Sequence, residues 1–244
     1  MAADDAARWY ADGLRLFSGG QTEAAIGAFR KSLAIRPNDA ATWKALGVVY
    51  GARGEYALAE QPLHRACLLD AKLADACLYF GRTLYLLDQY AQAVNVLKAV
   101  IAADPRNAQA WRIEAMALEA SGQSAEAEAA FQQAVGVNAS APLNEDPAID
   151  YGVFLYRQGR PEAALAPLQA AVKRHGEASR AQLELGCTLL ALDRVEEAVA
   201  HLERATSLDP AGARGHLLLG RAYQRQGKSE LARKEFDQGS RTVK

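Results

Sequence analysis

The sequence predicts an all-α fold, an α-solenoid of stacked antiparallel helix pairs, and three observations support this prediction. Half of the 244 residues are hydrophobic, but only 7% are aromatic, and alanine makes up roughly a fifth of the chain. Alanine is the best helix former but buries little area, so a single compact core built from it would be thin. The apolar residues recur with helical spacing, not with the alternation of a strand. Finally, this pattern returns every 34 residues.

Seven copies of one unit account for almost the whole chain. When the helix-ending Pro37 is counted as position 32, the repeats span residues 6–39, 40–73, 74–107, 108–141, 145–178, 179–212 and 213–244. We expect them to form a single array over residues 6–244. An insertion at 142–144 lengthens the loop between the fourth and fifth repeats, either leaving the stack intact or bending it. Asp146 followed by Pro147 is a favourable helix start, so the fifth repeat's first helix should begin there.

Each position of the unit has a packing role. Position 8 is glycine in every repeat except the fourth, where it is Ala115, and position 20 is always alanine, as expected where two helices cross closely. Position 24 is always leucine or phenylalanine and supplies the large side chain at this crossing. Position 15 is glycine or aspartate, which suits a turn with left-handed backbone geometry. The sequence therefore predicts one helix before position 15 and a second helix after it.

The second repeat matches a known pattern almost letter for letter. The pattern is W-x2-L-G-x2-Y, then A-x3-F, and its positions are occupied here by Trp43, Leu46, Gly47, Tyr50, Ala59 and Leu63. The unit resembles the tetratricopeptide repeat (TPR) family over residues 6–244. This resemblance implies a right-handed superhelix in which the first helix of each pair lines an inner groove and the second forms the outside. Stability would then be a sum of terms from individual repeats and from neighbouring pairs.

Composition and motifs exclude several functional classes. The formal net charge is −1, without the basic excess of nucleic-acid binders. No apolar run approaches the ~18 residues of a membrane span. No Walker A, GxSxG or dinucleotide-binding motif is present, and the four histidines form no metal-ligand pattern. We therefore expect no catalytic residues, no cofactor, no metal site, no nucleic-acid partner and no membrane insertion.

The three cysteines are interpreted as packing residues. They are too few and too widely spaced for a disulfide framework, and none belongs to a CxxC motif. Cys67 and Cys77 fall at positions assigned to the core, and Cys187 lies nearer the groove as a small apolar residue. Such cysteines indicate a reducing compartment. We accordingly expect a cytoplasmic location, or a periplasmic or envelope-associated one if an N-terminal signal has been removed.

The candidate binding residues are those that the repeat leaves free. In the family, positions 2, 5, 6, 9, 12 and 13 of the first helices line the groove. Here these positions are rich in apolar, tyrosine and arginine residues, and tyrosine and arginine are enriched at binding hot spots. The candidates for partner binding are Lys44, Tyr79, Arg82, Tyr85, Arg112, Ile113, Met116, Tyr156 and Arg221. The densest cluster lies in repeats three and four, although several of these side chains could instead pack on the neighbouring helix.

Two binding modes known in the family are not predicted. The clamp for carboxylates at chaperone C-termini needs Lys and Asn at positions 5 and 9 and further polar residues in the next two repeats. Only Lys44 fits, because Val48, Tyr79, Gln109 and Ile113 occupy the other positions. The asparagine ladder at position 6 of O-linked N-acetylglucosamine transferase is also missing. A partner with apolar side chains, or an amphipathic helix, therefore fits the groove better.

The leading hypothesis is a non-catalytic protein–protein interaction scaffold that binds a peptide or helix of a partner protein in its groove. One alternative is a substrate-recruiting module of a larger enzyme or of a secretion, pilus or envelope assembly machine. A second alternative is a self-assembling structural protein, with weak self-association through its end repeats. The groove constrains the chemistry of the partner but does not identify it.

Overall fold

The computed structural model describes residues 2–70, 74–137 and 145–241, and within these ranges the chain is helical without a strand. The helices, numbered in chain order, are α1 (Ala2–Ser18), α2 (Thr22–Ile35), α3 (Ala40–Ala52), α4 (Tyr56–Leu69), α5 (Ala74–Leu86), α6 (Tyr90–Ala103), α7 (Ala108–Ala120), α8 (Ser124–Val137), α9 (Pro147–Arg157), α10 (Pro161–Arg174), α11 (Ser179–Ala191), α12 (Val195–Leu208), α13 (Ala213–Arg225) and α14 (Ser229–Arg241). None of these helices is long and apolar enough to cross a membrane. We call the odd-numbered helices A helices and the even-numbered ones B helices.

The described chain forms two compact units, Met1–Ala127 (unit 1) and Glu128–Lys244 (unit 2). The division falls inside α8 and not at the insertion predicted at 142–144, which lies outside the described residues. Within unit 1 each helix from α1 to α7 packs on the next one, and within unit 2 the same holds from α9 to α14. The predicted helix pairs are therefore present in both units.

The 34-residue period sets the helix bounds. All seven B helices begin at position 17 of their repeat, and all seven A helices end at position 13. Between them, position 15 has a positive φ in every repeat, including the two non-glycine residues Asp88 and Asp193, each at 59°. Aspartate is among the few residues that tolerate this left-handed conformation. The prediction of a turn at position 15 is confirmed in all seven repeats.

The A and B helices of a pair approach most closely at position 8. A Cβ atom added at Gly81 would lie 2.8 Å from Leu97 Cδ2, and one at Gly186 would lie 2.7 Å from Leu202 Cγ. Both contacts join position 8 to position 24, and the two leucines are fully buried. Position 8 must therefore be small because the large side chain at position 24 fills the space beside it.

A hydrogen bond from position 4 joins successive repeats. The indole Nε1 of Trp43 donates to the carbonyl oxygen of Pro37 at 2.8 Å, at position 32 of the preceding repeat. Gln182 and His216, which replace tryptophan at position 4, place a side-chain nitrogen 3.0 and 3.1 Å from the corresponding carbonyl oxygens. These departures from the family pattern therefore preserve a side-chain nitrogen that contacts the loop after the preceding B helix.

Cys67 and Cys77 form a disulfide, so the expectation of three free cysteines is wrong for this pair. Cys67 is at position 28 of the second repeat and Cys77 is at position 4 of the third. These positions face each other where a B helix meets the next A helix, and the two Cα atoms lie 4.8 Å apart, within disulfide range. The expectation of a reducing compartment therefore loses the observation on which it rested. Cys187 is free and buried, as expected of a packing residue.

The first turn of α9 is held by a buried carboxylate. Asp146 is fully buried and its Oδ1 accepts a hydrogen bond from the backbone N–H of Ala148 at 3.0 Å, so it caps the helix that begins at Pro147. Its Oδ2 pairs with the guanidinium of Arg174, and Nε2 of His175 lies 3.6 Å away. The predicted start of the fifth repeat's first helix is confirmed, and Asp146 also joins α9 to the end of α10.

Glu114 on α7 is a buried acid without a complete set of partners. It stands at position 7, where other repeats have Leu46 or Leu185, and it is 3% exposed. Its Oε2 is buried without a hydrogen-bond partner among the described residues. Burial raises the pKa of Glu114, and the positive charge of Lys98 offsets part of the rise.

We expect Glu114 to make the protein less stable as the pH rises. Below the usual pKa of a glutamate, near 4.5, the side chain is protonated in the folded and unfolded states and folding buries no charge. As the pH rises from the unfolded pKa to the raised folded pKa, the unfolded chain loses this proton while the folded chain retains it, so stability falls and then stays at the lower value. Relative to the wild type, Glu114→Gln should therefore be more stable at pH 8 than at pH 5 in urea unfolding. The exposed Glu126→Gln is the control, and equal pH profiles for both variants would contradict this assignment.

Candidate functional site

The candidate residues of unit 1, except Ile113, lie on one surface of α3, α5 and α7. We call this surface, formed by positions 2, 5, 6, 9, 12 and 13 of these helices, the A-helix face of unit 1. Tyr79 is 37% exposed, and Arg82, one turn further along α5, is also exposed. Tyr85 and Met116 are half-buried, and the ring of Tyr85 contacts that of Tyr90 at a centroid distance of 5.8 Å. The face therefore presents aromatic and apolar surface to solvent.

Ile113 does not contribute to that surface. It is 5% exposed and belongs to the buried residues of α7. Its position 6 on α7 corresponds to that of Tyr79 on α5, so the same position is open in one repeat and covered in the next. We therefore leave Ile113 out of the proposed binding surface.

Two of the predicted basic residues are engaged with neighbouring side chains. Lys44 Nζ lies 2.6 Å from Asp75 Oδ2, which joins position 5 of α3 to position 2 of α5. Arg112 donates from Nη1 to Gln109 Oε1 at 2.8 Å, within α7. Arg82 differs, because its guanidinium makes no ion pair or hydrogen bond within the described residues. Arg82 is therefore the basic residue of this face whose charge is available to a partner.

A pocket that the sequence prediction missed opens between α3 and α5. It has a volume of about 210 Å³, and we call it the Gly51 pocket. Its lining residues are Gly47, Val48, Gly51, Ala52, Tyr56, Leu63, Tyr79, Arg82, Thr83 and Leu86. A Cβ atom added at Gly51 would meet nothing within 4 Å, so the missing side chain leaves open space. Gly51 stands at position 12, where no other repeat has glycine, and this difference was the available sequence signal.

In unit 2 the A helices present a second, more strongly charged set of residues. Asp150 on α9 pairs with Arg180 on α11, and Glu184 on α11 pairs with Arg214 on α13, with the nitrogen–oxygen distances of the latter pair at 2.5 and 2.9 Å. Both pairs join position 6 of one repeat to position 2 of the next. These charges therefore bind neighbouring repeats to each other, which sequence reasoning missed although opposite signs at the two positions could have indicated it.

Tyr156 and Arg221 are the predicted binding residues of unit 2. Tyr156 is 37% exposed, and its phenol is a neighbour of Cys187. Cys187 raises the pKa of Tyr156, mainly through the charge of its thiolate form and then through a hydrogen bond, and burial adds to the rise. Arg214 Nη2 also approaches the sulfur of Cys187, at 3.8 Å. Arg221 is exposed and makes no ion pair within the described residues.

The described part of the chain contains no group of three or more His, Cys, Asp or Glu side chains that could hold a metal ion. What the A-helix face of unit 1 and the A helices of unit 2 offer is contact surface: exposed tyrosines and arginines, an apolar pocket in unit 1, and charges mostly paired between repeats. Such surfaces bind by burying apolar area and completing a few charge pairs.

Comparisons with known proteins agree with the repeat architecture. Two relatives are subunits of complexes. Anaphase-promoting complex subunit 3 of Schizosaccharomyces pombe is 24% identical over 84% of this chain and 30% of that protein. BBSome complex member BBS4 of Bos taurus is 32% identical over 54% of this chain and 25% of that protein. The chain spans less than a third of the length of either relative. The solved structure of Pseudomonas aeruginosa pilF has the same fold, with a TM-score of 0.70 and 20% identity over 93% of this chain and 100% of that one.

Family models match most of the chain directly. A tetratricopeptide repeat model matches residues 80–145, 152–213 and 183–241. A second TPR repeat model matches residues 13–54. These matches and the helix pairs described above lead to the same assignment. The chain belongs to the tetratricopeptide repeat family.

Proposed function

We propose that this protein is a non-catalytic interaction scaffold that binds a segment of a partner protein on the A-helix face of unit 1. The observation that carries the proposal is the exposed pair Tyr79 and Arg82 beside the Gly51 pocket. An exposed tyrosine, an arginine without an ion pair and an apolar pocket are the features that anchor protein partners. The two relatives named above are subunits of protein complexes, which supports a role in assembly.

The pairing of charges on this face favours an apolar partner segment over a highly charged one. Lys44 and Asp75 neutralise each other, so a ligand that used either charge would first have to break their ion pair. Apolar side chains need no such exchange and gain free energy by leaving water. Affinity would then come from a few buried anchors, with the surrounding polar residues excluding water.

A second candidate function is recruitment of a substrate or assembly partner to a larger protein. The relatives are more than three times as long as the region they share with this chain, so related arrays occur as parts of larger proteins. This alternative uses the same A-helix face. Self-assembly through the end repeats is a third candidate, but Arg233, Asp237 and Ser240 make the outer surface of α14 polar and exposed. A strictly monomeric species in light scattering across a range of concentrations would exclude self-assembly.

For localisation we propose the cytoplasm, where Cys67 and Cys77 would be kept reduced, with the periplasm or envelope as the alternative. The Cys67–Cys77 disulfide supports the alternative, because disulfides persist in oxidising compartments. Alkylation of Cys67 and Cys77 in protein denatured directly from cells distinguishes the two, because these cysteines react only when reduced, whereas the free Cys187 reacts in either case.

The double variant Tyr79→Ala with Arg82→Ala tests the proposed site. We expect it to abolish capture of partner proteins from the native cell while the helical circular dichroism stays unchanged, because it removes an exposed aromatic anchor and a neighbouring guanidinium. Leu68→Ala with Arg106→Ala is the matched control, since both residues are exposed and lie off the A-helix face. If the variant of Tyr79 captured partner proteins as well as the wild type, the binding site would lie on another surface.

A further inference from the structure

We propose that the Gly51 pocket accepts one large apolar side chain of the partner segment, with an aspartate or glutamate of the same segment binding Arg82 at its rim. This inference rests on the proposed function and specifies the partner's chemistry. It names a short motif, an apolar anchor with a nearby acid, that the partner must carry.

The size of the pocket selects a single side chain. Its volume of about 210 Å³ is below the ~300–1,000 Å³ of pockets that take drug-sized ligands. A cavity of ~150 Å³ lined by apolar residues is large enough to take up benzene. A leucine, methionine or phenylalanine side chain therefore fits, whereas a whole metabolite would protrude.

The pocket exists because of the residue at position 12. The other six repeats have Phe17, Tyr85, Glu119, Tyr156, Leu190 and Gln224 at this position, and each has a long side chain. Repeat two has Gly51, whose Cβ would point into open space, followed by the small Ala52. Gly51 also lies in the last turn of α3, where alanine would be the better helix former. A glycine that leaves a cavity next to an exposed tyrosine is better explained by a ligand than by packing.

The charge at the rim indicates the second element of the motif. Arg82 lines the pocket and is exposed, without an ion pair or hydrogen bond of its side chain within the described residues. Asp75, the acid at the start of the same helix, is paired with Lys44. No described residue therefore compensates the charge of Arg82. A carboxylate of the partner beside the apolar anchor would form an ion pair with Arg82, and a lysine or arginine at that place would be repelled.

Selection from a displayed peptide library tests the motif directly, because it does not require the partner to be identified first. Random twelve-residue segments are selected on the purified full chain, and the enriched segments are synthesised and titrated. We expect the enriched segments to share a large apolar residue with aspartate or glutamate within four residues. Enriched segments that lack this combination, or the absence of any enriched segment, would overturn the inference.

Two variants then separate the pocket from the charge. Gly51→Leu fills the pocket and should weaken binding of the selected segments by at least about tenfold, while Gly27→Leu, at another open glycine on the B helix α2, should leave it unchanged. Arg82→Glu should weaken binding most at low salt, because screening reduces the loss of a charge pair at high salt. Arg106→Glu is the control for Arg82→Glu. Unchanged binding by Gly51→Leu would refute the proposal that the pocket holds the apolar side chain.

The outcomes also distinguish this inference from the proposed function. If capture of native partners requires Tyr79 but is unaffected by Gly51→Leu, the A-helix face binds partners without using the pocket, and only the inference fails. If capture is unaffected by Gly51→Leu and by the double variant of Tyr79 and Arg82, both proposals fail.

Discussion

Gly47→Ala is expected to destabilise the protein by about 1–3 kcal/mol, although alanine is the better helix former. A Cβ atom at Gly47 would lie 2.5 Å from Leu63 Cγ and 3.3 Å from the carbonyl oxygen of Ala59. Leu63 is 2% exposed, so it has little room to move aside. The two helices of repeat two would have to separate, and every other contact between them would weaken. The midpoint of urea unfolding, followed by circular dichroism, measures the effect.

The same substitution at Gly51, one turn later in α3, should have the opposite sign. Alanine there meets nothing within 4 Å and restricts the unfolded chain, so we expect a gain of about 0.5–1 kcal/mol. The two variants have identical composition and lie in the same helix. Equal effects of the two substitutions would contradict the close-approach role assigned to position 8.

Asp146→Ala is expected to cost about 3 kcal/mol, at the lower end of the values for breaking a buried ion pair because the Arg174 side chain is 35% exposed. The substitution removes the N-cap of α9 and leaves the guanidinium of Arg174 without its carboxylate. It also leaves Nε2 of the half-buried His175 without the nearby acid. The loss should be measurable as earlier urea unfolding at pH 7 and as faster hydrogen exchange in the first turn of α9.

Asp146→Asn separates the two roles of this residue. Asparagine is as good an N-cap as aspartate but carries no charge, so this variant should lose only the contribution of the ion pair. We expect its stability to lie between those of the wild type and Asp146→Ala. A wild-type stability for Asp146→Ala would show that Asp146 does not join α9 to α10.

The sequence predicts the turn and the helix pair of each repeat because every repeat meets the same kind of neighbour. Position 15 must reverse the chain and position 8 must admit the side chain of position 24, and these requirements do not depend on which repeat is considered. The positive φ values of Asp88 and Asp193 show that the rule holds where glycine is absent. The start of α9 at Pro147 also follows from local chemistry, because a capping residue and a proline act within one turn.

The candidate site is less predictable because it depends on pairs of residues from different repeats. Lys44 has the character of a binding residue when read alone, but Asp75 in the next repeat pairs with it. Cys67 and Cys77 are ten residues apart, and they become neighbours only where position 28 of one repeat faces position 4 of the next. The Gly51 pocket arises because position 12 of this repeat has no side chain. A search for functional side chains in the sequence does not find such a pocket.

Site-specific photo-crosslinking in the native cell tests most directly whether the A-helix face of unit 1 binds the partner. A photoreactive amino acid replaces Leu86, at the rim of the Gly51 pocket, or Leu68, which is 67% exposed on the B helix α4. We predict a crosslinked partner protein from position 86 and none from position 68. Crosslinks from position 68 but not from position 86 would contradict the assignment of the binding surface.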